Sequence, residues 1–259
     1  MLSYIFLGVL QGIFEWIPIS SEGVVALTGQ FLTETVSLID LALFLHLGTA
    51  LAVLIYFWRD WKDVLFFKNK KLFRFLIIAT IVSLTIGFPV YKLVREAAIG
   101  AGLLSVMGFG LLFTAYFQRA ATAGKPSRRS RWLPDKLNLN LSQLAVISGF
   151  LQGLSVIPGL SRSGSTIFGL SLGKFKPHQI LKISYMMSLP AVIASSLYLF
   201  FKNPVLICEG GIPLFFSFSI GILSLHFLIK LSQRINFSKF ALIFGILCLI
   251  GAAIGFTIR

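Results

Sequence analysis

The stretch Ile157-Pro-Gly-Leu-Ser-Arg-Ser-Gly-Ser-Thr166 decides how this chain folds. It lies inside an apolar run, 141–173, and fills the middle of that run with Pro, Gly, Ser and one Arg. Irregular backbone at membrane depth is tolerated only where protein or a water-filled cavity surrounds it. A second interrupted run, 2–32, carries Trp16-Ile-Pro-Ile-Ser-Ser-Glu-Gly23 in its middle. A shift of 141 residues places Gly8, Leu10, Gln11 and Gly12 on Gly149, Leu151, Gln152 and Gly153. The same shift places Ser20 on Ser161 and Gly23 on Gly164. Each copy has a Pro before its Ser, and each is followed by three apolar segments. The chain therefore reads as an internal duplication.

Composition sets the solvent. Of 259 residues, 56% are apolar and only 12% charged, and Phe alone supplies 26. Mean hydropathy is +0.89. A soluble domain carries about 25% charge, so a water-soluble globule is excluded and an all-α polytopic membrane protein is expected. Six segments have the length of a span, roughly 38–58, 73–92, 98–117, 181–201, 212–230 and 240–258, against about 20 residues needed. The expected fold is six transmembrane helices plus two re-entrant helical pairs in inverted-topology repeats. The whole chain, 1–259, forms one membrane domain: a first repeat over about 1–117, a linker over about 118–140 and a second repeat over about 141–259.

The charge is lopsided, with 23 Lys and Arg against 9 Asp and Glu, a net of +14. In a membrane protein this reports topology rather than a nucleic-acid partner, because cytoplasmic loops collect Lys and Arg. With the N-terminus outside, segments 59–74, 118–140, 174–182 and 230–239 are cytoplasmic and hold six, six, three and three basic residues. Only Lys92, Arg95, Lys202 and Arg259 fall outside, and both termini are extracytoplasmic. One basic residue, Arg162, is left within an interrupted stretch. No Lys or Arg precedes the first apolar run, so no cleavable signal peptide is expected. Cys208 and Cys248 make neither a disulfide framework nor a CxxC site, and His46, His178 and His226 make no zinc signature.

Inverted repeats with broken helices place a site near the midplane, which nominates 11–23 and 158–166. In the first stretch, Gln11 and Glu15 are four apart and share a helix face. Pro18 should end that helix just before itself. Ser20 or Ser21 then caps the next helix, with Glu22 in its first turn. An intramembrane acid faces a cavity or a partner; the alternatives are an interhelical contact for Glu15 and an interfacial position for Glu22. In the second stretch, Ser161, Arg162, Ser163, Ser165 and Thr166 surround Gly159 and Gly164. Glycines let amides converge on an anion, a helix start adds a positive dipole end, and the Arg fork matches phosphate oxygens. Close helix packing would explain the glycines alone. It would not explain the Arg, whose burial without a partner costs ~2.5–3.5 kcal/mol. Carboxylates on one side and Arg with hydroxyls on the other suit a diphosphate bridged by a divalent cation.

At these residues the chain resembles the undecaprenyl-diphosphate phosphatases, also called bacitracin-resistance proteins (UppP/BacA). Gln11-Gly-Ile-Phe-Glu15 resembles the family's (E/Q)GxxE element, and Pro18-Ile-Ser-Ser21 the Pro-x-Ser-Ser that follows it. Pro158-Gly-Leu-Ser-Arg-Ser-Gly-Ser-Thr166 resembles its PGxSRSGxT element. Leu45-His-Leu-Gly-Thr49 and Phe57-Trp-Arg59 are similar to segments that follow the first motif. The similarity runs nearly end to end.

The resemblance implies a multi-pass plasma-membrane hydrolase taking a polyprenyl diphosphate of undecaprenyl type to the monophosphate plus phosphate, which recycles the carrier for envelope glycans. It implies a site open to the extracytoplasmic side and a need for a divalent cation, Mg2+ or Ca2+. By position, Glu15 is the key acid, in the metal shell or as general base. Gln11 can ligate metal or hydrogen-bond but cannot act as a base. Ser21 is a nucleophile or phosphate ligand. Arg162 binds phosphate together with Ser161 and Thr166, while Ser20, Ser163 and Gly164 line the substrate side. Many members read SSxGH, whereas here Ser20-Ser21-Glu22-Gly23 is followed by Val24. Either that His is dispensable, or Glu22 or Glu15 takes its role. His46 could also compensate, although a satisfied buried histidine is the plainer expectation for it. A transporter or flippase of an anionic phospholipid or small phosphate is the alternative function, and a homodimer is left open.

Overall fold

The structure is a computed structural model that describes residues 2–17, 20–32, 38–97, 101–122, 139–173, 175, 177–202, 205–231 and 237–257. Among them every regular element is a helix: α1 (Leu2–Phe14), α2 (Ser21–Leu32), α3 (Leu38–Tyr56), α4 (Trp58–Leu65), α5 (Lys70–Ala97), α6 (Ala101–Thr122), α7 (Leu141–Leu154), α8 (Arg162–Ser171), α9 (Pro177–Lys202), α10 (Val205–Leu231) and α11 (Phe237–Thr257). Large apolar side chains such as Ile81, Phe109, Phe215, Phe227 and Ile243 point outward, as they do where lipid replaces water. The chain is a multi-pass membrane protein.

Three described helices are long and apolar enough to span, Lys70–Val94, His178–Lys202 and Gly210–Ile229. These are the expected segments 73–92, 181–201 and 212–230. Segments 98–117 and 240–258 fall on α6 and α11. The expected span of roughly 38–58 falls on α3, which stops at Tyr56, and α4 turns away from it by 84°. The cause is local. Arg59, Asp60, Lys62 and Asp63 populate α4, while Trp61 and Val64 bury its other face, so the helix suits an interface plane rather than hydrocarbon.

Both interrupted runs break into helix pairs, α1 with α2 and α7 with α8. α1 ends at Phe14, and the Ile17 amide donates to the Phe14 carbonyl at 3.2 Å, closing a tighter turn. Pro18 lies outside the described residues, as does most of the linker. α7 starts from a capping box between Asn140 and Gln143. Beyond α7 a run of turns reaches Gly159, whose φ of +90° and close approach to Met107 admit no side chain; a Cβ there would lie 2.2 Å from the Met107 carbonyl oxygen.

The matched glycines carry the packing. α1 lies on α10, where a Cβ on Gly8 would stand 2.2 Å from the Pro213 carbonyl oxygen and one on Gly12 2.8 Å from the Gly221 amide. α7 lies on α5 in the same manner, with Gly149 against the Ala79 carbonyl at 2.5 Å and Gly153 against that of Ser83 at 2.8 Å. Small residues four apart let two backbones touch where no hydrophobic driving force exists between helices in lipid. Trp16 Nε1 then donates to the Gly221 carbonyl at 2.8 Å, and Ser224 Oγ to that of Gly12 at 2.5 Å. The contacts recur between the halves: α1 on α10 and α7 on α5, α3 on α10 and α9 on α5, with α6 against α11 and α3 against α9.

Gly149→Val is expected to destabilise the detergent-extracted protein by about 1–3 kcal/mol through overpacking, read as a lowered thermal midpoint. Gly211→Val is expected to leave the midpoint unchanged, because a Cβ there meets nothing within 4 Å.

Candidate active site

Glu15 sits in the turn that follows α1, held by the bond from its amide to the Gln11 carbonyl at 3.0 Å. Its side chain is 3% exposed, and four elements converge on it. Gln11 Nε2 donates to Oε2 at 2.7 Å from α1, and Ser21 Oγ donates to the same oxygen at 2.7 Å from the start of α2. His46 Nε2, on α3, stands 3.1 Å from Oε2. Arg162 Nη2, in the first turn of α8, pairs with Oε1. Arg162 Nη1 donates to the Ser184 carbonyl on α9 at 3.3 Å. The buried cation thus finds its compensating anion 147 residues away, which answers the cost of burying an unpaired Arg.

His46 is oriented from behind. Its Nδ1 lies 2.7 Å from the Ala42 carbonyl, which can only accept, so Nδ1 carries a hydrogen. By the same argument Nε2, 3.1 Å from the Glu15 carboxylate, carries a hydrogen while that contact stands; once that hydrogen has left, Nε2 is an acceptor, and Ser21 Oγ lies 3.5 Å from it. Glu15, Ser21 and His46 form one contiguous acid–hydroxyl–imidazole cluster. His46 is the residue that sequence reasoning undervalues: Leu45-His-Leu-Gly-Thr49 is legible as a motif segment, but nothing local to α3 says that its imidazole meets Glu15.

The two broken stretches are clipped together by a hydroxyl. Ser20 adopts φ +69°. Its Oγ accepts the Gly23 amide at 3.3 Å, which caps α2, and the Gly159 amide at 2.9 Å, which reaches across to the other stretch. Of the two serines weighed as a cap, Ser20 takes that place and Ser21 opens the helix with its hydroxyl on Glu15. On the opposite side, Ser161 caps α8 by accepting the Gly164 amide at 3.2 Å, and its own amide donates to Thr114 Oγ1 at 3.1 Å. Ser163 Oγ lies 3.1 Å from Ser161 Oγ.

A polar pocket of about 20 Å3 lies among these groups. Glu15, Ser20, Ser21, Glu22, Ser161 and Arg162 all reach its wall, joined by His46 and Ser155. Gln11 stands behind Glu15, and Ser163, Gly164 and Thr166 are off the wall. Thr166 Oγ1 lies against the Arg162 and Ser163 carbonyls and 2.6 Å from Ser184 Oγ, so it holds α8 to α9. Ser155 and Ser184 carry no sequence signal of their own. The pocket opens into a groove of about 190 Å3, and Glu22, His46, Ser155 and Arg162 are common to both. The far walls of the groove are apolar and aromatic, from Leu84, Phe88, Val192 and Tyr198.

Among the described residues no three His, Cys, Asp or Glu side chains group as a metal cage. The buried carboxylate and amide oxygens near the pocket are hard donors. Gln11 Oε1 and Glu22 Oε1 are buried without a hydrogen-bond partner. Such a set fits a cation that takes one or two carboxylates and completes its shell with phosphate and water, as Mg2+ does; it does not fit a protein-only cage.

Residues 4–251 match the family model described as bacitracin resistance protein BacA. The chain belongs to the BacA family. Its relatives include proteins named undecaprenyl-diphosphatase from Methanococcoides burtonii, 32% identical over 94% of this chain and 95% of the relative, and from Haloarcula marismortui, 33% identical over 95% of each. A third, from Caldicellulosiruptor bescii, is 34% identical over 92% of this chain and 91% of the relative. The chain thus spans nearly the full length of these three relatives.

Glu15→Gln and Arg162→Gln are each expected to cost about 3–5 kcal/mol, because each strands a buried charge. The double substitution should lose less than the sum of the two. Chemical denaturation of the four proteins in mild detergent measures the cycle, and additivity would mean that the pair is not coupled.

Proposed function

We propose that this chain removes the terminal phosphate from undecaprenyl diphosphate, leaving undecaprenyl phosphate to serve again as a lipid carrier. One observation carries this reading: the polar pocket lined by Glu15, Ser21, His46 and Arg162 shares His46 and Arg162, together with Glu22 and Ser155, with the wall of an apolar groove. A charged pocket continuous with an apolar channel matches a substrate with a diphosphate head and a hydrocarbon tail. The three relatives carry the name of a hydrolase, which favours turnover over transport. The membrane layout we propose has six spans, α3, α5, α6, α9, α10 and α11, and two re-entrant pairs, α1/α2 and α7/α8. The recurrence of contacts between the halves supports their being repeats; the basic loops, which collect on the cytoplasmic side, support an inverted arrangement with both termini extracytoplasmic, and we place the opening of the site on that same side.

The pocket has room for about one water, so a phosphate enters as the Glu15–Arg162 pair parts. Its oxygens take over the Arg162 fork, which releases Glu15 from that pairing. Ser21 Oγ attacks the terminal phosphorus while His46 Nε2 accepts its proton. The bond from that phosphorus to the bridging oxygen breaks, and the departing undecaprenyl phosphate takes the proton from His46. Water then attacks the phosphoserine; His46 removes one proton from it and returns one to Ser21, releasing inorganic phosphate. Ser161 and the α8 start add donors and a positive dipole end beside the phosphate. Glu15, Gln11 and Glu22 oxygens are the groups that would hold a divalent cation, which when bound neutralises charge on the phosphate oxygens.

Purified protein in detergent should release phosphate from farnesyl or undecaprenyl diphosphate, stop in EDTA, and recover with Mg2+ or Ca2+. Arg162→Ala, Ser21→Ala and His46→Ala should each lose about 10²–10³ in kcat. Full turnover in any of them would remove that residue from the mechanism. For the layout, Ser127→Cys in a chain with Cys208 and Cys248 changed to Ser should react with an impermeant thiol reagent only from the cytoplasmic side. Labelling of intact cells from outside would overturn the orientation.

A further inference from the structure

Four basic residues fall on the extracytoplasmic side in the charge count, and nothing in the site accounts for them. Two of them, Lys92 on α5 and Lys202 at the end of α9, lie over one set of aromatic rings. Lys92 Nζ lies 4.6 Å from the centroid of the Phe88 ring. Lys202 Nζ lies over two rings, 5.4 Å from Tyr91 and 5.5 Å from Tyr198. The three rings adjoin: Phe88 and Tyr198 meet edge to face at 5.2 Å, and Tyr91 and Tyr198 at 6.2 Å. Tyr91 is fixed by donating its hydroxyl to the carboxylate of Asp40, which is fully buried. Phe88, Tyr91 and Tyr198 are the same side chains that line the groove leading to Glu22, His46 and Arg162.

An interfacial lysine laid along an apolar surface needs no special account. Two lysines from different helices on adjoining rings of one groove wall do. Among the described residues neither ammonium is paired with a carboxylate, and both side chains are exposed. The ring faces hold the two ammonium groups in place but carry no net charge, so the exposed positive charge is left to meet an anion. We infer that Lys92 and Lys202 form a capture site for a phosphate anion at the aromatic mouth of the groove, holding the diphosphate head before it reaches Arg162. This rests on the proposed function and adds the residues that set association. Cations that line an approach raise the local substrate concentration and the on-rate, by about 10–10³ in general. They do not act on the reacting phosphorus, so their removal falls on KM rather than kcat.

The experiment compares wild type with Lys92→Gln/Lys202→Gln in neutral detergent, using farnesyl diphosphate. At low salt the double variant should lose about tenfold in kcat/KM, carried by KM, and the gap should close at high salt as the charges are screened. Lys92→Arg/Lys202→Arg should restore the wild-type value, and Lys62→Gln on α4 should change nothing. Inorganic phosphate as inhibitor separates the sources. A Ki raised in parallel with KM shows that free phosphate uses the pair too; a raised KM with an unchanged Ki confines the pair to the lipid head. Equal KM at low salt, or a loss in kcat instead, would overturn the inference. Stopped-flow association of farnesyl diphosphate, followed by tryptophan fluorescence in EDTA, reads the lysines without turnover. A chain that binds through them yet releases no phosphate would refute the proposed function alone.

Discussion

The contact between Glu15 and Arg162 is the constraint around which the rest of the site is arranged. Each group alone would be a severe liability in the interior of a membrane protein. Together they neutralise one another, and the remaining oxygen of Glu15 is taken up by Gln11, Ser21 and His46. Because the partners come from α1, α2, α3 and α8, the pair ties both broken stretches and a neighbouring helix to a single point. A buried ion pair is weak evidence for net stability. Its value here lies in specificity, because any register that separated the two stretches would leave a charge unpaired in a low-dielectric interior.

That meeting depends on how closely the helices approach. Gly8 and Gly12 seat α1 on α10, and Gly149 and Gly153 seat α7 on α5, at distances that leave no room for a Cβ. The two broken stretches are then joined at their tips by Ser20, whose hydroxyl accepts the Gly159 amide. Gly159 in turn occupies a backbone conformation and a space that no other residue fits. Ser20 and Ser161 meet backbone groups freed where the helices break, as irregular backbone inside a membrane protein requires.

On the proposed reading, the serine hydroxyls divide their labour. Ser20 and Ser161 cap helices, Thr166 holds α8 to α9, and Ser21 alone has its hydroxyl between Glu15 and His46. His46 supplies the imidazole that Val24 denies to the first motif. It arrives from α3, at a different point in the chain, with its Nδ1 hydrogen fixed by the Ala42 carbonyl. The groove beyond joins this chemistry to an apolar, aromatic wall overlaid by two lysines.

Much of the fold is legible in the amino-acid sequence itself. Composition settles the solvent, since 12% charge cannot cover a soluble surface. Pro, Gly and Ser in two apolar runs mark where helices must break, and Arg162, Glu15 and Glu22 stand out as charges with no topological reason. These are local properties: hydropathy, helix-breaking and capping act over a few residues, so the sequence states them directly. What it does not state is convergence. Gln11, Glu15 and Ser21 are near one another in the chain, but His46 and Arg162 join them only because α3 and α8 pack there. Thr166 reads as a phosphate ligand from its motif, yet its rotamer and neighbours turn its hydroxyl onto Ser184. Which side chains meet across more than 100 residues is decided by helix contacts at single glycines, and a one-dimensional pattern carries those contacts only as spacing.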